Sequence, residues 1–316
     1  MAEITAARYN ALQARVATIM SKGAGDEGYG QKLNSYQVGV NDTVLAEHMN
    51  KLYTDIKNAR LHQTGSLPSE IVQVVKDVDV VEDSNPTTKK GLAQYEALSL
   101  DVVADRLTVA TGQAAIENQA PATSFTDTNW NGTIRHDVRV TFAAYTITNA
   151  DGSTVSMSAA DHARVYFNAG GEILFTPGLA SGGSGSITTD WRNLITAVGT
   201  VRFRRSNTTN AAYPNTSGGS GGTNIGYVDL NTTTFQTIYT KNASSYSTND
   251  YTIQAKLANN YTIDFRIYFN DDKGPNPNFD EAVTPRTTST TRIYRPNNNS
   301  SVNVNAPTCA TTRALS

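Results

Sequence analysis

Apolar side chains in the first third of the chain recur with the period of an α-helix. The first stripe predicts a helix over 4–20, with Thr5 as its N-cap. A second stripe predicts a helix that begins after its N-cap candidates at 41–43. Two more helices are predicted, one starting near Pro68, where a run of valines fits helix or strand equally, and one over 88–110. Together these segments indicate a small helical bundle.

The second predicted helix carries the most regular apolar pattern of the chain. Its apolar residues are spaced four, three, four and three apart and form a seam of about two heptads: Leu45, Met49, Leu52, Ile56 and Ala59. Such a seam packs a helix against a neighbour within the chain, or associates two copies of the chain. Two heptads fall short of the three or four that establish a coiled coil, so both interpretations stay open. The seam is the candidate oligomerisation site.

From about residue 125 onward the pattern changes to the period of two that is typical of strands. Apolar and polar residues alternate over 134–142, with His136 on the inward face. Further strands are predicted at 145–157 as a hairpin, twice within 161–175, and at 201–205, 225–230, 235–239, 251–257, 261–269 and 288–296. A helix over 189–198 is predicted to cover a sheet, with Trp191 in the core. Many short strands between turn signals favour a β-sandwich or jelly roll.

Composition supports the same division of the 316 residues. Thr and Asn, which suit strands and turns, make up 37 of the 111 residues from 206 onward. We therefore predict the α+β class, with a helical region over 1–120, a β-sandwich over 121–296 and an extended or disordered tail over 297–316. The joint is expected at 120–124.

Charge, hydropathy and cysteine content exclude several classes of protein. The 26 Lys and Arg nearly balance the 28 Asp and Glu, which argues against a nucleic-acid partner. No run approaches the ~20 apolar residues of a membrane span, and the first residues lack a secretory signal pattern. A single cysteine, Cys309, excludes an intrachain disulfide and a cysteine zinc site. We therefore expect synthesis in the cytoplasm, without a membrane partner.

Motifs that would carry chemistry are weak. The glycine-rich loop over 23–30 lacks the Lys-Ser/Thr ending of a P-loop, and the acidic turn over 270–274 lacks EF-hand spacing. Asp161 and His162 suggest part of a triad, but no serine lies in a nucleophile-elbow context. The remaining candidates are a basic patch and a set of late acids: Arg202, Arg204 and Arg205, and Asp264, Asp271, Asp272, Asp280 and Glu281. We expect no catalytic residue, no cofactor and no metal.

Three stretches of the sequence carry a resemblance to a known class of protein. They are residues 4–13 (ITAARYNALQ), residues 161–175 around RVYFNAGGEILF, and WRNLI at 191–195 with GTVRF at 199–203. They are similar to segments of virion structural proteins of tailed bacteriophages, especially T4-like cyanophages. The resemblance implies a neck, tail or fibre protein and no catalytic residues.

The expected function is that of a non-enzymatic virion component, a neck or collar protein or a tail appendage. The resemblance implies location in the virion, with other neck, tail or baseplate proteins and further copies of the chain as partners, a trimer being the first expectation. One alternative is a receptor- or carbohydrate-binding module that binds host surface glycan, with Tyr213, Tyr246 and Tyr251 as its motive. Another is a polysaccharide hydrolase, which would need paired carboxylates in one cleft.

Overall fold

The computed structural model describes residues 4–79, 83–117, 123–124, 130–206, 221–272, 282–297 and 301–315. These residues contain five α-helices: α1 (Ala6–Met20), α2 (Ala46–Thr64), α3 (Leu92–Ala104), α4 (Ala159–Asn168) and α5 (Ser186–Val198). They also contain twelve strands: β1 (Ala114–Glu117), β2 (Thr123–Ser124), β3 (Gly132–Thr141), β4 (Tyr145–Thr148), β5 (Thr154–Met157), β6 (Glu172–Leu179), β7 (Val201–Phe203), β8 (Gln236–Asn242), β9 (Asp250–Asn259), β10 (Thr262–Asp271), β11 (Thr287–Pro296) and β12 (Thr308–Leu315). Helices come first and antiparallel strands follow, so the predicted α+β class is confirmed.

The chain folds into two compact units, each assembled from three separate segments. The first unit comprises Met1–Ala115, Ala143–Gly170 and Arg295–Asn305. The second unit comprises Ile116–Phe142, Gly171–Tyr294 and Ala306–Ser316. Most of the expected joint, residues 120–122, lies outside the described residues.

The first unit is built on α1, α2 and α3, which pack against one another. The predicted first helix and its cap are confirmed, since Thr5 Oγ1 accepts from the Arg8 N–H at 3.3 Å. Helix α2 begins later than predicted, with Leu45 as its N-cap residue. Asp42, one of the expected caps, instead accepts from the Gly39 N–H at 3.1 Å and holds a turn of its own.

The helix predicted from Pro68 is wrong, because the described part of that segment is neither helix nor strand. Asn50 of α2 bonds both backbone groups of Val74, donating to its oxygen and accepting from its N–H at 2.8 Å each. A side chain thus satisfies polar groups that a helix would have satisfied internally. The predicted helix over 88–110 exists in shorter form as α3.

The glycine-rich loop after α1 is held by the polar face of α4, within the first unit. Arg164 donates to the carbonyl oxygens of Lys22, at 2.6 Å, and of Glu27, while Asn168 donates to Glu27 at 2.9 Å. Gly28 lies at φ +91°, and a Cβ there would lie 2.0 Å from the Lys22 oxygen. The loop therefore presents carbonyl oxygens to a guanidinium, whereas a phosphate loop presents N–H groups.

Helix α4 corrects one of the two strands predicted within 161–175. Ser158 Oγ accepts from the Asp161 N–H at 3.1 Å, and the Asp161 carboxylate accepts from the Ser158 N–H at the same distance. This capping box starts a helix whose buried face includes His162, Val165 and Tyr166. The β-branched and aromatic residues that suggested a strand are the core face of α4.

The second unit is a sandwich of two five-stranded sheets, as the β-sandwich prediction requires. One sheet has the order β1-β11-β6-β7, with β2 paired to β11, and the other has the order β12-β3-β10-β9-β8. Between them the Phe265 ring packs on Phe175 and Phe203, with centroids 4.8 and 5.1 Å apart. His136 bonds Ser289 across the same core, Nδ1 to Oγ at 2.6 Å.

Helix α5 places Trp191 in the core of the second unit, as predicted. The Trp191 ring is fully buried, packs edge-on against Trp130 and donates from Nε1 to Asp271 Oδ1 at 3.0 Å. Strands β9 and β10, predicted over 251–257 and 261–269, are joined by a tight turn at Asn260 and Tyr261. The segment predicted as a strand over 225–230 contains instead a 3-10 turn at Tyr227–Asp229. The segment predicted as a tail contains β12, paired with β3.

Candidate functional site

The outer face of the β12-β3-β10-β9-β8 sheet carries the charged residues of the site. Along β10, Phe265 and Ile267 point into the core, so Asp264, Arg266 and Tyr268 point outward. The register sets Asp264 opposite Arg139 of β3 and Arg266 opposite Asp137 of β3. Period-two alternation thus places acids and arginines side by side on one surface.

Two of the arginines on this face are paired with carboxylates. Arg139 donates to both oxygens of Asp264, at 2.7 and 3.0 Å. This hydrogen-bonded pair raises the pKa of Arg139. Arg135 donates to Asp137 Oδ2 at 3.0 Å. Both carboxylates therefore already have a cationic partner.

Two other cations on the same face lie against an aromatic ring. The Arg266 guanidinium carbon is 3.8 Å from the centroid of Phe235, and Lys256 Nζ is 4.9 Å from it. Lys256 lies opposite Asp264, and Arg266 opposite Asp137. Within the described ranges neither cation forms an ion pair with those carboxylates. Both cations thus contact the Phe235 ring, whereas Asp137 and Asp264 are hydrogen-bonded to Arg135 and Arg139.

A side-chain-capped turn fixes the position of Phe235 at the start of β8. Asn231 Oδ1 accepts from the N–H groups of Thr233 and Thr234, at 3.0 and 2.9 Å. The Asn231 carbonyl accepts from the Leu257 N–H at 2.9 Å, which ties this turn to β9. This Asx-type turn places the ring over the side chains of the neighbouring strands.

These residues line a groove of about 420 Å³. We call it the Phe235 groove, and its lining is Asp137, Val138, Arg139, Phe235, Lys256, Asp264, Phe265, Arg266, Ala310 and Thr312. Its volume lies in the range of small-molecule sites, roughly 300–1,000 Å³. It offers hydrogen-bond donors and acceptors around one aromatic ring, with two cations that have no carboxylate partner in the described chain.

The predicted oligomerisation seam lies on α2 in the first unit. Met49, Leu52, Ile56 and Ala59 have no exposed surface, whereas 53% of Leu45 is exposed. Four of the five seam residues are therefore covered by neighbours within the chain, as the interpretation of the seam as an intrachain contact expects. A partner of α2 would contact Leu45 or residues outside the seam.

The residues that suggested a triad serve the first unit structurally. Asp161 forms the α4 capping box and an ion pair with Lys22, whose Nζ lies 2.8 Å from Oδ2. Burial raises the pKa of Asp161, but the bonds from Lys22 and Ser158 outweigh it and bring the pKa to about 2. His162 is buried, with Nδ1 2.8 Å from the Ala143 carbonyl oxygen. His136 is also buried, as the alternation predicts.

The predicted basic patch of the second unit is partly internal. Arg202 and Arg204 each donate to Glu172, at 2.7 Å to its two carboxylate oxygens. Arg204 and Glu172 are buried, so Arg204 is not part of an exposed basic patch. A buried carboxylate between two arginines holds β6 and β7 together.

The late acids and the loop tyrosines that the structure describes are dispersed. Asp264 lines the Phe235 groove, Asp271 is buried beneath Trp191, and Asp280 and Glu281 lie outside the described residues, as does Tyr213. The Tyr246 hydroxyl bonds Ser186 Oγ at 2.6 Å, and Tyr251 is fully buried. Tyr246 and Tyr251 therefore do not form the glycan site that they motivated. Sequence analysis missed Phe235, Lys256 and Arg266, whose juxtaposition depends on strand register.

Within the described ranges, no three His, Cys, Asp or Glu side chains are grouped so that they could hold a metal ion. None of the described helices has the length and apolar character needed to cross a membrane. Comparison with family models, with curated proteins and with solved structures gave no match.

Proposed function

We propose that this protein is a non-enzymatic structural component of a bacteriophage particle, a neck or collar protein or a tail appendage. The proposal rests on one observation: polar residues that could have served in catalysis have structural roles. Asp161 and His162 hold α4, Glu172 holds β6 and β7, and Asp271 supports Trp191. The resemblance of three sequence stretches to phage structural proteins supports the same conclusion.

The first unit also has the surface expected of a docking region. Six of the eight large apolar residues that are exposed in the described chain belong to it: Val40, Leu45, Leu67, Val75, Val78 and Leu100. Val40 and Val78 are the most exposed, at 87% and 74%. A contiguous apolar patch is typical of association with other proteins, and these residues are the candidates for one. We propose that this unit contacts neck, tail or baseplate proteins, or further copies of the chain.

Immunogold electron microscopy of purified particles tests the proposal, with antibodies against the full chain and a blot of denatured particles. We expect label at one fixed position and a band in the blot. Abundant protein in the infected cell with no band in denatured particles would refute the proposal. A double variant, Val40→Ser with Val78→Ser, should reduce incorporation, while Val228→Ser, an exposed change in the second unit, should not.

A second candidate function is saccharide binding, favoured by the Phe235 groove. Grooves that bind sugars combine an aromatic ring with hydrogen-bond donors and acceptors, and this groove has all three. Attachment to a particle and binding of host surface glycan are compatible in one chain. A glycan array probed with the full chain tests this function, and the absence of binding to every envelope saccharide would exclude it.

A further inference from the structure

We propose that the Phe235 groove binds an anionic sugar unit, one that carries a carboxylate or a phosphate, with Lys256 and Arg266 as the residues that bind the anionic group. The inference rests on the second candidate function and specifies its class of ligand. It follows from the charge, the geometry and the hydrogen-bonding groups of the groove.

The charge of the groove is the first argument. Asp264 is neutralised by Arg139, and Asp137 by Arg135, in hydrogen-bonded pairs of 2.7 to 3.0 Å. The remaining two cations have no such partner within the described part of the chain. With Arg135 included, the charged residues at the groove therefore have a surplus of two positive charges, on a chain whose formal net charge is −2. A bound anion would supply the counter-charge that these two cations lack within the described part of the chain.

The geometry of the two cations is the second argument. Lys256 and Arg266 occupy diagonal positions on neighbouring strands, and both lie against the same ring. Cation–π contacts at exposed sites are weak, so the ring orients the cations without neutralising them. A guanidinium and an ammonium held against one ring can each donate to the oxygens of one anionic sugar unit.

The hydrogen-bonding groups around the cations point to a sugar. Sugar hydroxyls both donate and accept, and the groove offers as acceptors the lone pairs of Asp137 and Asp264 that the arginines leave unused, and the hydroxyl of Thr312 as donor or acceptor. A simple inorganic anion would use the cations alone. The mixture of acceptors and surplus cations fits a ligand that is polar over its whole surface and charged at one point.

Calorimetric titration of the full chain tests the inference with three probes. They are an oligogalacturonate, its fully methyl-esterified form, which is neutral, and a phosphorylated oligosaccharide. We expect one or both anionic probes to bind about tenfold more tightly than the neutral one. The two anionic probes distinguish a carboxylate ligand from a phosphate ligand. Binding should weaken as salt is added.

Variants locate the site. Lys256→Gln and Arg266→Gln should each weaken binding of the anionic probe about tenfold. Lys241→Gln in β8 and Arg286→Gln remove the same charge elsewhere in the second unit and should change affinity less than about twofold. Circular dichroism of each variant establishes that it is folded.

The outcomes separate this inference from the function on which it rests. If neutral and anionic probes bind equally, or if the groove variants bind like the wild type, saccharide binding stands and the inference is overturned. If inorganic phosphate binds as tightly as the phosphorylated oligosaccharide, the site recognises an anion and not a sugar, which also overturns it. If no saccharide binds, the candidate function fails together with the inference.

Discussion

Arg164 in the first unit and Arg266 in the second serve different purposes. Arg164 in the first unit donates to the carbonyl oxygens of Lys22 and Glu27, and only 18% of its side chain is exposed. Arg266 in the second unit lies on a ring at the surface. The first arginine is committed to holding a loop, whereas the second is oriented but free to bind something else. Replacing Arg164 should therefore lower stability, whereas replacing Arg266 should lower the affinity for a ligand.

Replacement of Arg164 should give the largest loss of stability. Arg164→Met keeps the side-chain stem but removes the hydrogen bonds to the glycine-rich loop, so we expect the free energy of unfolding to fall by about 4 kcal/mol. Urea unfolding measures the change. Arg139→Met, a matched change at a pair whose arginine is 59% exposed, should cost ~0.5 kcal/mol or less. Equal losses at both positions would contradict the distinction between committed and surface arginines.

The loop that Arg164 holds should also depend on one of its glycines. Gly28→Ala places a Cβ at a positive φ and against the Lys22 carbonyl oxygen, so we expect a loss of about 3 kcal/mol. Gly25→Ala is the matched control, because its φ is also positive but no atom lies within 4 Å of the new Cβ. Its cost should be about 1 kcal/mol, the strain of the backbone alone. Thermal unfolding of both variants measures the two losses. A Gly28→Ala variant as stable as the wild type would show that the path of the loop is not fixed.

Acid should weaken the first unit through His62. This ring is fully buried against Tyr29, with centroids 4.9 Å apart, and burial lowers the pKa of His62 to about 4. The folded state therefore resists protonation that the unfolded state accepts near pH 6.5. Stability from this residue is complete above pH 6.5 and falls as the pH drops towards 4, by about 3 kcal/mol at pH 4.

Urea unfolding at a series of pH values measures this effect. The difference in unfolding free energy between wild type and His62→Leu should shift by that amount between pH 7 and pH 4. A constant difference over this range would show that His62 does not titrate on unfolding.

The sequence predicted correctly those elements whose signals lie within the element itself. Alternation over 134–142 identified β3 and the inward His136, and Thr5 identified the start of α1. The Trp191 helix was predicted from its own apolar face and end signals. Each of these signals is contained within one element and needs no knowledge of its neighbours.

The rest depended on contacts between distant segments. The path of residues 68–79 is set in part by hydrogen bonds from Asn50, and the valine pattern of this segment does not predict those bonds. The Phe235 groove joins Phe235, Lys256 and Arg266 through strand pairing, and a register shift between Thr262 and Ile263 helps to decide which side chains meet. A slip of one residue would turn Arg266 into the core, so composition alone could not identify this site.

A small expected effect on stability, at Arg266, gives the sharpest test of the comparison. Arg266→Gln removes one cation–π contact at a partly exposed site and no ion pair within the described part of the chain, so the free energy of unfolding should change by less than about 1 kcal/mol. The same variant should lose most of its affinity for an anionic sugar, in contrast to Arg164→Met, which should lose stability. Urea unfolding and calorimetry on the same preparation compare the two quantities directly. A loss above about 2 kcal/mol for Arg266→Gln would make this arginine a structural residue like Arg164, because a side chain that the fold needs is not free to bind a ligand.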